Sequence, residues 1–396
     1  MQSISVQGES SKRRDLVAAV LALWPEQGSG ELSARSLASA AGVNASAIYY
    51  HFNDLEHLYE AAQAEALMLA AQWADGWRAR LDGVDDMPMQ AFGSLTALLI
   101  DDWCEEARTL AFAWRECQLL AARNPRFAAP RDAWSALWRD FWADLCARFG
   151  AAASAEAATL FFDGEGLLHM MRWRRPVDRA ALEESARIWA AWLDGRLPEP
   201  APWRVHARAC ARATDRATTI PEGNLQSIAI AAARLLAQKG AGSVTHRAVA
   251  AEAGLTLGVV SHNCRRTEDL LKLAYSEIYV QLTGGLPDRP GGNPQVPDKG
   301  AQPDLSRMLA IDELVLAGAR GRVGEGLIGL LRYLRGSTSV HTIRERVRCT
   351  EDQSVSLAAV YSSIAMGYWR SSAKEEDAHA GVEYDRFLDR LFTAYA

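Results

Sequence analysis

Asn44-Ala45-Ser46-Ala47 puts small polar residues at the start of a short segment, and Tyr49-Tyr50-His51 puts three hydrogen-bonding rings near its end. On a helix, that start is slim enough to enter the major groove of duplex DNA. The hydroxyls and the imidazole then face phosphates or base edges. Ile48 and Phe52 interleave with them as an inward, core-facing pair. Arg35, upstream, carries a guanidinium suited to a guanine edge or a phosphate. Lys12, Arg13 and Arg14 add positive charge before the first helix. No other chemistry competes. There is no Gly-rich phosphate loop after a strand, no paired-histidine metal motif and no nucleophile elbow, so no cofactor, no metal and no catalytic role are expected. Asp101-Asp102 and Glu105-Glu106 read as solvated helix charges.

The elements that must hold this segment occur twice. Residues 31–58 and 243–270 align without a gap, 212 positions apart (35 to 247, 42 to 254). A period that long fits a duplicated domain and not a solenoid unit. Leu16, Val20, Leu23 and Trp24 share one helix face, and Ile228, Ala232, Leu235 and Leu236 repeat it. Ser11 is the expected start of the first helix, with stops at Gly28 and Gly240. Ser33 and Thr245 are expected to cap a second helix, Asn44 and Thr256 a third. Gly42 and Gly254 fit the left-handed turn between them. A fourth helix is expected from near Asp54, and from near Thr267 in the second copy. The groove-facing set of the second copy is Thr256, Leu257, Gly258, Ser261, His262 and Asn263, with Arg247 before it and Arg265 and Arg266 after it. Cys264 stands at the Phe52 position and reads as buried core, although its arginine neighbours suit a thiol sensor.

The remainder is expected to be all-α, with no convincing strand alternation. Twelve of the thirteen Trp precede residue 204, and Trp134, Trp138 and Trp142 fall on one helix face, as a core stripe does. Trp103, Trp114, His169 and Met170 are candidates for lining an apolar pocket. Residues 194–223 read as the joint between halves, and the Gly/Pro-dense stretch 284–304 as a flexible loop. No apolar run is long enough to span a membrane. The polar N-terminus lacks a secretory signal, and six scattered Cys without a C-x-x-C pair suit a reducing cytoplasm.

Taken together, S-x-R-x-L-A-x-x-A-G-V and I-Y-Y-H-F-x-D-x-E-x-L over residues 12–58 resemble the TetR family of bacterial transcriptional regulators; residues 224–270 resemble it more weakly. The resemblance implies an all-helical fold: a three-helix DNA-binding head followed by a helical body that holds a small-molecule pocket and dimerises through its last two helices. It assigns DNA contacts to Arg35, Asn44, Ala45, Ser46, Tyr49, Tyr50 and His51. The family's phosphate-contacting lysine near the start of the fourth helix is absent: Leu55 stands there, and Thr267 in the second copy.

Two tandem units then follow: a head over 1–54 with a body over 55–205, and a divergent head over 220–266 with a body over 267–396. The expected function is a ligand-responsive regulator, most often a repressor in this family, with a small apolar or aromatic effector. The expected assembly is a single-chain pseudodimer on double-stranded DNA. Its final helices, around Ala155–Arg172 with Arg179–Leu193 and Ser354–Arg370 with Val382–Tyr395, would form one bundle, with heads roughly 35 Å apart. Residues 1–60 hold four Lys/Arg against seven Asp/Glu, and residues 222–275 six against four, so the two operator halves are expected to differ. Two alternatives stand beside this: a homodimer that binds DNA through the first head alone, and a ligand- or partner-binding module without DNA.

Overall fold

The computed structural model describes residues 2–84, 87–214, 222–283, 305–372 and 380–395. The described residues are helical throughout, without strands. The helices are α1 (Gln2–Leu23), α2 (Ala34–Ala40), α3 (Ser46–Phe52), α4 (Leu55–Arg80), α5 (Met89–Glu105), α6 (Arg108–Arg123), α7 (Ala128–Arg148), α8 (Ala155–His169), α9 (Arg175–Leu193) and α10 (Pro202–Thr214). They continue as α11 (Asn224–Lys239), α12 (His246–Ala253), α13 (Leu257–Asn263), α14 (Thr267–Thr283), α15 (Leu305–Ala319), α16 (Glu325–Tyr333), α17 (Val340–Arg346), α18 (Glu351–Ser372) and α19 (Ala380–Phe392).

Several expectations need correction. The first helix starts at Gln2, not Ser11, and ends at Leu23, well before Gly28. The joint carries a full helix, α10, whose Pro202 suits a first turn that needs no N–H donor. The buried stripe of α10 is only Ala207 and Ala211, which is why no large-residue periodicity announces it. The stretch 284–304 lies outside the described residues. Contacts divide the chain into two compact units, 1–84 with 103–141 and 85–102 with 142–396. The boundaries of these units fall between α4 and α5, inside α5 and inside α7.

In the first unit, Leu16 and Val20 of α1 and Trp24 just after it are fully buried, as are Leu37, Ile48 and Leu58. Below them lies a mass of indoles. Trp103 sits 4.8 Å from Trp138 and 5.2 Å from Trp73, centroid to centroid, and Trp114 sits 5.4 Å from Trp134. Edge-on and tilted rings let the positive rim of one meet the negative face of another. A buried indole N–H also needs an acceptor. The buried Gln63 amide oxygen accepts from Trp134 Nε1 at 3.0 Å, while its own Nε2 donates to the Ala113 carbonyl at 2.9 Å.

The second unit is held by buried charge as much as by rings. Asp101, read as solvated, is buried. Its carboxylate accepts from His169 Nε2 at 2.8 Å and from both terminal nitrogens of Arg175 at 2.6 and 3.0 Å. Burial raises its pKa, but the hydrogen bonds and charges of His169 and Arg175 win and hold it well below the usual carboxylate range. Arg370 of α18 reaches Asp163 of α8 at 2.6 Å and Asp312 of α15 at 3.1 Å.

Helices α8 and α18 cross in backbone contact. A Cβ on Gly164 would fall 2.0 Å from the Ser363 carbonyl oxygen, and one on Gly367 would fall 2.4 Å from that of Leu160. The contact is reciprocal: one shift of 203 positions carries Gly164 to Gly367 and Leu160 to Ser363. The same shift carries Trp192 to Tyr395, whose rings meet at 5.6 Å. Trp192 Nε1 also donates to the Leu391 carbonyl at 2.9 Å, and the Tyr395 hydroxyl to that of Arg196 at 3.0 Å.

Candidate nucleic-acid interface

The first head is built from caps. Ser33 Oγ accepts from the Ser36 amide at 3.1 Å, and Ser36 Oγ accepts from the Ser33 amide at 2.9 Å, so α2 opens on a reciprocal capping box. The helix is stopped by Gly42 at φ +65°, a conformation that costs a residue with a Cβ roughly 1 kcal/mol. The chain then turns into α3. Asn44 does not cap that helix, contrary to expectation; Ala45 is the N-cap and makes no side-chain bond. Ile48 and Phe52 are buried beneath α3, as their spacing requires. Asn53 ends α3 at φ +65°, and Asp54 caps α4 by accepting from the His57 amide at 2.8 Å.

Burying Ile48 and Phe52 turns the opposite face of α3 outward. Tyr49 is 56% exposed and Tyr50 71%, with the His51 ring edge-on to Tyr50 at 4.9 Å. Asn44, Ser46 and Arg35 are exposed, while Ala45 and His51 are half-buried. Arg13 places its guanidinium over the Phe52 ring at 5.2 Å, next to this face.

The second head repeats the frame. Thr245 caps α12 by accepting from the Ala248 amide at 3.2 Å. Gly254 turns the chain at φ +66°. Thr256 caps α13 by accepting from the Val259 amide at 3.3 Å. A 3-10 turn precedes the brace helix in both, Ser29–Glu31 and Ala241–Ser243. Arg247, Thr256, Leu257, Ser261, His262, Asn263 and Arg265 are all exposed. Asn263 folds its amide back, Nδ2 donating to the Val259 carbonyl at 2.8 Å. Cys264 is buried at the Phe52 position, and burial pushes its thiol up to about 11, the opposite of a reactive thiolate.

Each head is tied to a helix of its own unit by one carboxylate. Glu116 of α6 accepts from the Ser29 amide at 2.8 Å, and Glu313 of α15 accepts from the Ala241 amide at 3.1 Å. Ser29 and Ala241 are 212 positions apart, and both glutamates are buried. Ser29 is also held by Trp24, whose Nε1 donates to its Oγ at 2.8 Å, and by Tyr59, whose hydroxyl donates to its carbonyl at 3.0 Å. The repeat in residues 31–58 did not reach these glutamates. The readable signal is a second match, Glu116 to Arg123 against Glu313 to Arg320, at a shift of 197.

Residues 16–62 match the family model of bacterial regulatory proteins, tetR family. The first head is a TetR-type DNA-binding domain. The family match does not extend to the second copy, which rests on its own caps and turn. No curated protein matches the chain. This TetR-type head makes the chain a DNA-binding helix-turn-helix regulator in its general class. No described helix is long and apolar enough to cross a membrane.

The pocket candidates lie in closed packing. Trp103 and Trp114 belong to the indole cluster of the first unit. His169, in the second, is fully enclosed between Asp101 and Arg332, whose guanidinium donates to Nδ1 at 2.5 Å. That pairing leaves Nε2 as the protonated nitrogen. Burial and the Arg332 charge depress its pKa, against the opposing pull of Asp101 and Glu165. Met170 is buried beside it. A cleft in the second unit is lined instead by Gln90, Glu184, Arg187, Ile188, Arg196 and Leu197 among others.

Proposed function

We propose that the chain is a ligand-responsive regulator acting as a single-chain pseudodimer. Two unlike heads read the two halves of one non-palindromic operator, and a small apolar or aromatic effector releases it, most often relieving repression. The observation that carries this reading is the doubled frame. A side-chain cap on the brace helix and a left-handed glycine after it recur 212 positions apart, and each head has its own buried glutamate on the turn before the brace helix. The reciprocal Gly164 and Gly367 contacts support it further. They are what a two-fold dimer seam looks like when both partners belong to one chain. Arg35, Tyr49, Tyr50 and His51 carry the first half-site, and Arg247, Ser261 and His262 the second. The effector candidates remain Trp103, Trp114, His169 and Met170, where a ligand must part packed side chains to enter.

The test is the solution mass of the chain, free and bound to DNA fragments selected by the chain itself. One chain on a site with two different halves is the expected result. Two chains on a palindrome would instead favour the homodimer, a reading supported by the tyrosine pair and the family match being confined to the first head. No selected sequence would leave a module without DNA.

A further inference from the structure

The heads differ most where their fourth helices begin. At matched positions, Asn53, Asp54 and Glu60 of the first head become Arg265, Arg266 and Lys272 of the second. In the first head this edge is acidic and internally neutralised. Arg126 lies 2.9 Å from Glu60, 3.4 Å from Glu56 and 3.8 Å from Asp54, and it also contacts the His57 ring. Its charge is spent on carboxylates at the place where a phosphate would otherwise pass.

The second head has the reverse arrangement. Asp269 Oδ2 accepts from the backbone amides of Arg265 and Arg266 at 2.9 and 2.8 Å, which pins the backbone of both arginines at the mouth of α14. Their side chains and that of Lys272 are exposed. Arg266 shares Glu268, 3.3 Å away, with the Gly324 amide. The recognition helix beside this basic edge has little reach. Leu257, Gly258 and Ser261 are short or apolar, the Asn263 amide is turned back on its own helix, and His262 is left as its one exposed ring. The first recognition helix, by contrast, presents two long aromatic hydroxyls beside its imidazole.

We infer that the heads divide the work on DNA: the first discriminates base edges, while Arg265, Arg266 and Lys272 make the second a phosphate clamp. This rests on the two-headed reading above. Phosphate contacts position a protein on the duplex without carrying sequence information, and each one neutralised steepens the salt dependence. The operator half under the second head is therefore tolerant of base changes, and most of the salt dependence originates there. The acidic first head is held near the duplex by the basic second one.

The experiment uses the full chain and DNA fragments that it selects. Affinity is measured against salt for the unaltered chain, for the triple variant Arg265→Gln, Arg266→Gln, Lys272→Gln, and for the double variant Tyr50→Ala, His51→Ala. Each is also tested on operators with single base changes. The triple variant is expected to lose about tenfold or more in affinity and to lower the log–log salt slope by about 3, with its base profile unchanged. The double variant is expected to flatten the profile of one half-site and to change the slope by less than about 1. Tyr50, Arg265, Arg266 and Lys272 are exposed and His51 is half-buried, so a melting temperature measured for each variant confirms that the fold is kept. A triple variant that alters base preference at a constant slope overturns the inference, as does one that changes nothing. Failure of the unaltered chain to bind any DNA overturns the two-headed reading itself and is seen before any variant is compared.

Discussion

The first and second heads share a frame and differ in surface. Ser33 and Thr245 do one job with different hydroxyls, and Gly42 and Gly254 make the same left-handed turn at φ +65° and +66°. Yet the tyrosine pair of one faces serine and histidine in the other, and an acidic edge faces a basic one. The difference is physical. A helix start needs an acceptor, and a positive φ needs a glycine or an asparagine; few residue types satisfy either demand. An exposed groove-facing position imposes no such demand on the fold, so its chemistry is free to specialise.

The equivalence of the halves is hardest to break where their backbones touch. Gly164→Leu and Gly367→Leu should each destabilise the second unit by about 3 kcal/mol, since a carbonyl oxygen, not a flexible side chain, occupies the space. Chemical denaturation checks this, and a mild effect at one position but not the other would show that the crossing is not reciprocal. Next in size is the carboxylate beneath each head. Glu116→Leu leaves the buried Ser29 amide without its acceptor and should cost about 2 kcal/mol, while Glu116→Gln should restore most of it. Glu313→Leu and Glu313→Gln should follow the same order in the second unit; a different order there would mean the two ties are unlike.

Smaller still are the caps. Ser33→Ala and Thr245→Ala should each cost about 1 kcal/mol, read as a lower melting temperature. The smallest effect sharpens the contrast between the edges. The His57 backbone hydrogen bond leads the causes that hold the Asp54 carboxyl below its ordinary 3.8, against a desolvation that raises it. Its stabilising contribution is therefore complete above about pH 4 and is lost as pH falls through the lower folded value. Asp54→Asn should remove that acid dependence from the first unit. Arg266, at the matched position, carries no carboxyl.

How much of this was legible in the sequence follows from how local each cause is. The hydroxyl caps, the turn glycines, the buried Ile48 and Phe52 and the core place of Cys264 depend on neighbours within a few residues, and all could be read. Asn44 misled because α3 begins at Ser46, so the cap position falls on Ala45 and leaves the cap-forming residue type one place too early. Asp101 looked solvated because its partners, His169 and Arg175, arrive from distant helices. Helix α10 was hidden because two alanines make a buried face without a hydrophobic stripe. Glu116 and Glu313 were missed because their acceptor role is set by where a remote turn docks, even though their matched surroundings were there to be aligned.

The crossing at Gly164 and Gly367 has a consequence for inheritance. When two identical chains pair, each mutation appears on both sides of the seam and must be compatible with its own copy. Under the pseudodimer reading a mutation enters this seam once, so each glycine needs to suit only the single backbone opposite it. Gly164 already faces Ser363 where Gly367 faces Leu160. The joint thus lets two sides of one interface wander apart, and with them the heads they carry, under separate selection within a single gene.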